Sequence, residues 1–211
     1  MKAPILKKIP EIKECHKKTW IDNYSWIHQK NILEVLKNNS KLNKTVRKYL
    51  EEENQYTEYH LKKTKSLQKE LFKEIKGRIK LDNTSIPFKD KEYEYWTKTK
   101  KSGNYSINLR KKLNSKKVEI YWDGNKEFKL SKSNYFGIGD ISVSNNDKLL
   151  GYSIDLKGSE YYTIYIRRIA DKKIISSKIK DTSGNIIFSL DDKYIFYAKL
   201  DHNHRPKKIF K

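Results

Sequence analysis

The chain has 211 residues, 36 % apolar and 12 % aromatic, which is enough to bury a core and excludes a disordered tail. One cysteine, Cys15, permits neither an internal disulfide nor a thiolate zinc cluster and points to a reducing, cytoplasmic setting. The formal charge of +21 raises the question of nucleic acid, but 41 of the 47 basic residues are Lys, scattered in pairs such as Lys7-Lys8, Lys62-Lys63 and Lys207-Lys208. Dispersed pairs do not make the stripe that tracks a phosphate backbone, so only weak, salt-sensitive adhesion to polyanions is expected.

In chain order, the N-terminal MKAPILKKIPEIKE carries lysine beside every short apolar run. No stretch approaches the roughly 18 uninterrupted apolar residues of a membrane span, so neither a signal peptide nor a membrane partner is expected. From Leu42 to Ile75 apolar residues recur at helical spacing, as Val46 and Leu50, Leu67 and Leu71, and Phe72 and Ile75. Ser40 or Asn43 is placed to cap this helix and Gly77 to close it. The adjacent carboxylates Glu51, Glu52 and Glu53 point around a helix rather than at one atom, so a solvated face is read there.

After Pro87 the texture changes to short alternating runs rich in Tyr, Ile and Val. Strands are expected over Tyr93–Lys98, Tyr105–Leu109, Val118–Trp122, Ile138–Val143, Leu149–Ile154, Tyr162–Ile166, Lys173–Lys178, Ile186–Ser189 and Tyr194–Ala198. The spacing leaves no room for crossover helices, so this half is antiparallel β. ISVSNNDKLLGYS from Ile141 aligns with IIFSLDDKYIFYA from Ile186, a period of 45 residues that matches Ser144 to Ser189, Asp147 to Asp192 and Tyr152 to Tyr197. Four short strands per repeat is the signature of a β-propeller blade; a pair of similar hairpins in a sandwich is the alternative.

Several stretches together resemble the oligopeptidase B branch of the prolyl oligopeptidase family of serine peptidases. They are DNYSW (Asp22–Trp26), YLEEENQYTE (Tyr49–Glu58), LQKELFKEIKGRIK (Leu67–Lys80), SIPF (Ser85–Phe88), SNNDKLLGYSID (Ser144–Asp155), TSG (Thr182–Gly184) and DHNHRPKKIF (Asp201–Phe210). The chain departs from the family pattern at Ile21, where Arg is usual, and at His28 and Gln29, where Arg-Asp is usual. The resemblance implies a mainly β chain with an N-terminal helical segment: residues 1–82 form the helical extension, and 83–211 form an incomplete β-propeller of about two and a half blades of a seven-bladed pattern. It also implies that the Ser, Asp and His of an α/β-hydrolase domain, with the pocket for basic substrate side chains, lie outside these residues.

None of the 17 serines sits in a G-x-S-x-G elbow, and Ser183 has only Gly184 beside it. His202 and His204 are spaced to share a strand face but lack a third ligand. Gly137-Ile138-Gly139-Asp140 has Ser142 where a dinucleotide loop needs a third glycine and reads as a tight β turn. Cys15 and His16 are adjacent, which rarely joins a thiolate to its base. Catalytic, cofactor-binding and metal residues are therefore all expected to be none, with no cofactor. The expected function is a truncated, non-catalytic N-terminal fragment resembling oligopeptidase B. One alternative is a subunit of a split peptidase whose partner is a separately encoded C-terminal hydrolase fragment. Another is a basic module that binds nucleic acid or anionic surfaces. An array stopping inside its third blade, near Phe210, is expected to leave a blade face uncovered and the isolated chain poorly stable.

Overall fold

The computed structural model describes residues 1–176 and 178–211. The chain divides into two compact bodies, Met1–Ile79 and Lys80–Lys211.

The first body opens with a hairpin of β1 (Glu11–Cys15) and β2 (Lys18–Asp22) that the sequence reading missed. Its two turn residues, His16 and Lys17, hold φ of 49° and 62°, a conformation usually marked by Asn or Gly, so the turn carried no signal. Asp22 ends the hairpin and starts the next turn: its carboxylate accepts from the Tyr24 amide and the Ser25 hydroxyl, each at 2.8 Å. A short α1 (Ile32–Lys37) follows. The long predicted helix is two helices, α2 (Lys44–Leu61) and α3 (Lys65–Arg78), joined by one 3-10 turn over Lys62–Thr64. Asn43, not Ser40, is the cap, its side chain accepting from the Thr45 and Val46 amides. The joint forms where the Thr64 hydroxyl donates to the Leu61 carbonyl at 2.8 Å and competes with the helix ladder. Gly77 does not close the helix, which runs through it to Arg78. Of the predicted apolar stripe only Val46 is buried; Leu67, Leu71, Phe72 and Ile75 are exposed.

The second body holds consecutive antiparallel blades of a partial propeller. The first blade is β3 (Phe88–Asp90), β4 (Tyr93–Lys98), β5 (Ile107–Lys112) and β6 (Val118–Asp123). The fifth strand starts two residues later than expected because the Asn125 side chain takes both the amide and the carbonyl of Tyr105. A helix that the strand reading passed over, α4 (Gly124–Ser131), leads to the second blade; Asp123 caps it by accepting from the Asn125 and Lys126 amides. That blade is β7 (Gly137–Val143), β8 (Leu149–Asp155), β9 (Tyr162–Arg168) and β10 (Ile179–Thr182). The strand expected over Lys173–Lys178 includes position 177, which lies outside the described residues; within the rest, Ile174 forms an isolated bridge to Arg167. The third blade supplies β11 (Ile187–Phe188), β12 (Ile195–Leu200) and β13 (Pro206–Phe210). The last of these, begun by Pro and Lys, has the composition of an edge strand and hid its apolar pattern.

The 45-residue repeat is preserved bond for bond. In both turns the serine amide donates across the turn, Ser144 to the Leu149 carbonyl and Ser189 to that of Tyr194. The serine hydroxyls donate to Asn146 and Asp191 while accepting from the Leu149 and Tyr194 amides. Asp147 and Asp192 take left-handed φ of 60° and 57°. The correspondence extends beyond the stretch found by sequence: Tyr152 stacks on Tyr165 with centroids 5.2 Å apart, as Tyr197 stacks on Phe210 at 5.7 Å. Ile209 thus holds the position of Ile164, yet Ile164 is 0 % exposed and Ile209 79 %. One core cluster, built on Trp122, Tyr95, Tyr121, Leu150 and Tyr152, lies between the first and second blades; another, built on Ile164, Ile166 and Ile186, lies between the second and third.

The repeat sets a paired test. Ile164→Ala should cost about 2–5 kcal/mol, as for other buried large-to-small changes, whereas Ile209→Ala at the matching exposed position should stay within about 0.5 kcal/mol. Urea midpoints of the two variants check this.

Candidate functional site: the seams between blades

Between the first two blades, two buried arginines cross in opposite directions. Arg110, on β5, donates through Nε to Glu119 at 2.7 Å and through Nη1 to the Asp147 carbonyl of the second blade at 2.7 Å. Arg167, on β9, returns the contact, donating to Glu127 of α4 at 2.7 Å and to the Tyr121 carbonyl at 3.1 Å. Its guanidinium lies over the rings of Trp122 and Tyr152, 5.3 and 5.1 Å from the centroids. Tyr95 donates its hydroxyl to the Asp147 carboxylate at 2.7 Å. Burial, then the hydrogen bond to Asp147, push that hydroxyl well above the usual tyrosine range, and burial pushes Tyr152 up to about 12. For Arg110, burial opposes the charge, but Glu119 and Tyr95 overcome it and raise the guanidinium pKa.

The second seam is organised by one carboxylate. Asp192 accepts from the Asn145 amide through Oδ1 and from the Asn146 amide through Oδ2, both at 2.7 Å. The Asn145 side chain donates to the Ser189 carbonyl at 2.8 Å. Further along, Ser153 donates to the Gly184 carbonyl at 2.6 Å, and Asp140 accepts from the Ile186 amide at 2.9 Å. Gly151 lets the blades approach closely here: a Cβ would stand 3.1 Å from Ile186 and 3.3 Å from Phe188, and those side chains would have to give way by a few tenths of an ångström. At the other end His204 donates through Nε2 to the Ser159 carbonyl at 3.1 Å and sets its ring edge against Tyr161.

The residues singled out in the sequence do not converge. His202 and His204 lie in the turn before β13 rather than on a strand face, with His204 at φ 59°. Among the described residues no three His, Cys, Asp or Glu are grouped to hold a metal. Gly137 and Gly139 form not a turn but a bulged stretch of β7, where a Cβ on Gly139 would meet the Ser153 hydroxyl at 2.5 Å. Ser183 pairs its amide with the Ala198 carbonyl, and Gly184 takes a left-handed φ of 96° in a plain connection. Cys15 is exposed, and His16 is its hairpin turn. On α2, Glu53 receives the Tyr49 hydroxyl and Glu52 lies 3.9 Å from Lys48, as on a solvated face. Asp147 and Asp192 were visible as repeat matches, but nothing in the sequence marked Arg110 and Arg167 among so many cations.

A helical body followed by blades clamped at successive turns is the opening of a propeller protein. The chain belongs to the prolyl oligopeptidase family: residues 4–210 match its N-terminal beta-propeller domain. It is 25 % identical to dipeptidyl aminopeptidase BI of Pseudoxanthomonas mexicana over 93 % of this chain and 28 % of that protein. It is 23 % identical to protease 2 of Moraxella lacunata over 100 % of this chain and 30 % of that protein. The structure of oligopeptidase B from Leishmania major superposes with a TM-score of 0.83 at 21 % identity, covering 99 % of this chain and 30 % of that one. The chain therefore spans just under a third of the relatives it matches. No helix among the described residues is long and apolar enough to cross a membrane.

The tyrosines of the first seam give a pH test. Their hydroxyls are raised in the fold and ordinary in the unfolded chain, so their contribution is intact below the unfolded value near 10 and fades as pH rises above it. The urea midpoint should hold up to about pH 9 and fall beyond about pH 10, and Tyr95→Phe with Tyr152→Phe should flatten that fall.

Proposed function

We propose that these 211 residues are the non-catalytic opening part of an oligopeptidase B-like serine peptidase architecture. The carrying observation is the match of residues 4–210 to the family's N-terminal beta-propeller domain. Consistent with it, these residues hold no G-x-S-x-G serine, so no activated nucleophile or oxyanion pair is at hand for acyl transfer. Residues 1–82 act as the helical extension and 83–211 as the blades that limit access. The hydrolase segment that does the chemistry lies outside these residues, and the complete architecture cleaves oligopeptides after basic residues. The lone, exposed Cys15 supports a reducing, cytoplasmic setting. No specific nucleic acid is a partner.

The purified chain should neither cleave dibasic peptide amides nor react with a serine-directed fluorophosphonate. The segment that follows the matched region in the Moraxella protease 2, expressed separately, serves as the test partner. It should carry the chain into a complex on size-exclusion chromatography, with any labelling on the partner. Stoichiometric labelling of a serine in this chain overturns the proposal. Binding to DNA or RNA that survives the rise from low to physiological salt favours a basic binding module instead.

A further inference from the structure

The first blade carries a cationic hollow that neither seam uses. The loop joining β4 to β5 and the start of α4 enclose a cavity of about 300 Å³. Lys100 and Ser102 line it from the loop and Lys126 and Lys129 from the helix, while Ile107, only 2 % exposed, supplies an apolar part of the wall. The two segments are fixed against each other. The Asn125 side chain accepts from the Tyr105 amide at 3.1 Å and donates to the Tyr105 carbonyl at 2.8 Å, and the turn from Lys100 to Gly103 is closed by a 2.9 Å backbone bond. Gly103 permits this approach, because a Cβ there would stand 2.6 Å from the Asn125 side-chain oxygen. Lys126 and Lys129, three apart on α4, share one side of the helix.

The acids that could neutralise these lysines are engaged elsewhere. Glu127, the one carboxylate within α4, binds Arg167 at the seam. Asp123 lies in the cavity wall, but its Oδ1 accepts from the Asn125 and Lys126 amides, at 3.1 and 3.3 Å, as the helix cap. Among the described residues no carboxylate lies within 4.0 Å of the Lys100, Lys126 or Lys129 ammonium, whereas Lys111 and Lys112 on the same blade are each paired at 3.0 Å. Three lysines against the one carboxylate of Asp123 leave two positive charges in the hollow, and an apolar, buried wall concentrates their field.

We propose that this hollow binds a short polyphosphate, either free or carried by a nucleoside. Each ammonium is a point charge with three donors, which suits an anion that presents oxygens on several sides; a planar carboxylate would call for the fork of an arginine, and no arginine lines the hollow. Ser102 adds a neutral hydroxyl donor. The first amides of α4 add nothing, since Asp123 already takes them. The volume is at the low end for small-molecule sites, about 300 Å³, which fits a few linked phosphates. A bound polyphosphate ties the β4–β5 loop to α4, and through Glu127 and Arg167 it steadies the first seam. The site stands on the first blade alone, independently of the peptidase reading.

Isothermal titration of the full chain with sodium tripolyphosphate at physiological salt tests it. One tripolyphosphate should bind per chain, and the double variant Lys126→Gln/Lys129→Gln should weaken binding at least about tenfold, as expected for two lost charged donors. The double variant Lys116→Gln/Lys117→Gln removes the same charge from the connection between β5 and β6, and should stay within about twofold because salt screens distant charges. Tripolyphosphate should raise the urea midpoint of the unaltered chain and leave that of Lys126→Gln/Lys129→Gln unmoved. In amide NMR spectra the ligand should move Ser102, Gly103, Lys126 and Lys129 most. Adenosine triphosphate binding at least about tenfold tighter than tripolyphosphate assigns the site to a nucleotide, and equal or weaker binding assigns it to the free polyphosphate. Equal weakening in the two double variants, several ions per chain, or shifts spread over scattered lysines reduces the binding to general adhesion and overturns the proposal. So does a single-stranded DNA oligonucleotide that displaces tripolyphosphate with higher affinity, since the hollow then serves a nucleic-acid backbone.

Discussion

A blade with two apolar faces must lie between two neighbours, and everything in the second body follows from that constraint. The sheet of the second blade turns Leu150 and Tyr152 toward the first blade and Leu149, Gly151 and Ile164 toward the third. Alternation along β8 therefore reads as apolar on both sides, and Leu150 and Ile164 are fully buried. The blades at either end lack this double cover. Phe196 and Ile209 show the result on the third, and Val118 and Ile120, exposed on β6, show it on the first.

Apolar packing does not set the angle at which one blade meets the next. The turns do. Asp147 and Asp192 each leave their own hairpin in a left-handed conformation that frees the carboxylate to reach back one blade. Arg110 and Arg167 add a longer reach, each pairing with a carboxylate while donating to a carbonyl across the seam. The guanidiniums are buried while Glu119 keeps 38 % of its side chain exposed; such pairs contribute little net stability against an apolar replacement, but losing the carboxylate strands a buried positive charge. Their role in this propeller is registration, since each guanidinium has acceptors in one relative placement of the blades.

Much of this was legible because repetition makes its own alignment. The Ser-x-x-Asp-Lys turns at Ser144 and Ser189 announced the period, and the dense apolar alternation gave β4 its exact limits and β8 nearly so. What stayed hidden was governed by single side chains acting at a distance. Asn125 withdraws Tyr105 from its strand, and Thr64 divides the long helix. The hairpin at His16 and the edge strand at Pro206 hid behind residues that local propensity disfavours in those places.

The sequence alone determined that a helical segment precedes antiparallel strands, the family and the repeat, because helical and strand periods and the spacing of turn residues are local properties written in the chain. Only the tertiary structure decided which aspartate clamps which amides, that Arg110 and Arg167 stand apart from the surface cations, and that Ile164 is buried while Ile209 is bare. Those outcomes depend on what lies across a seam, and two residues with the same local pattern differ only in whether a neighbouring blade covers them.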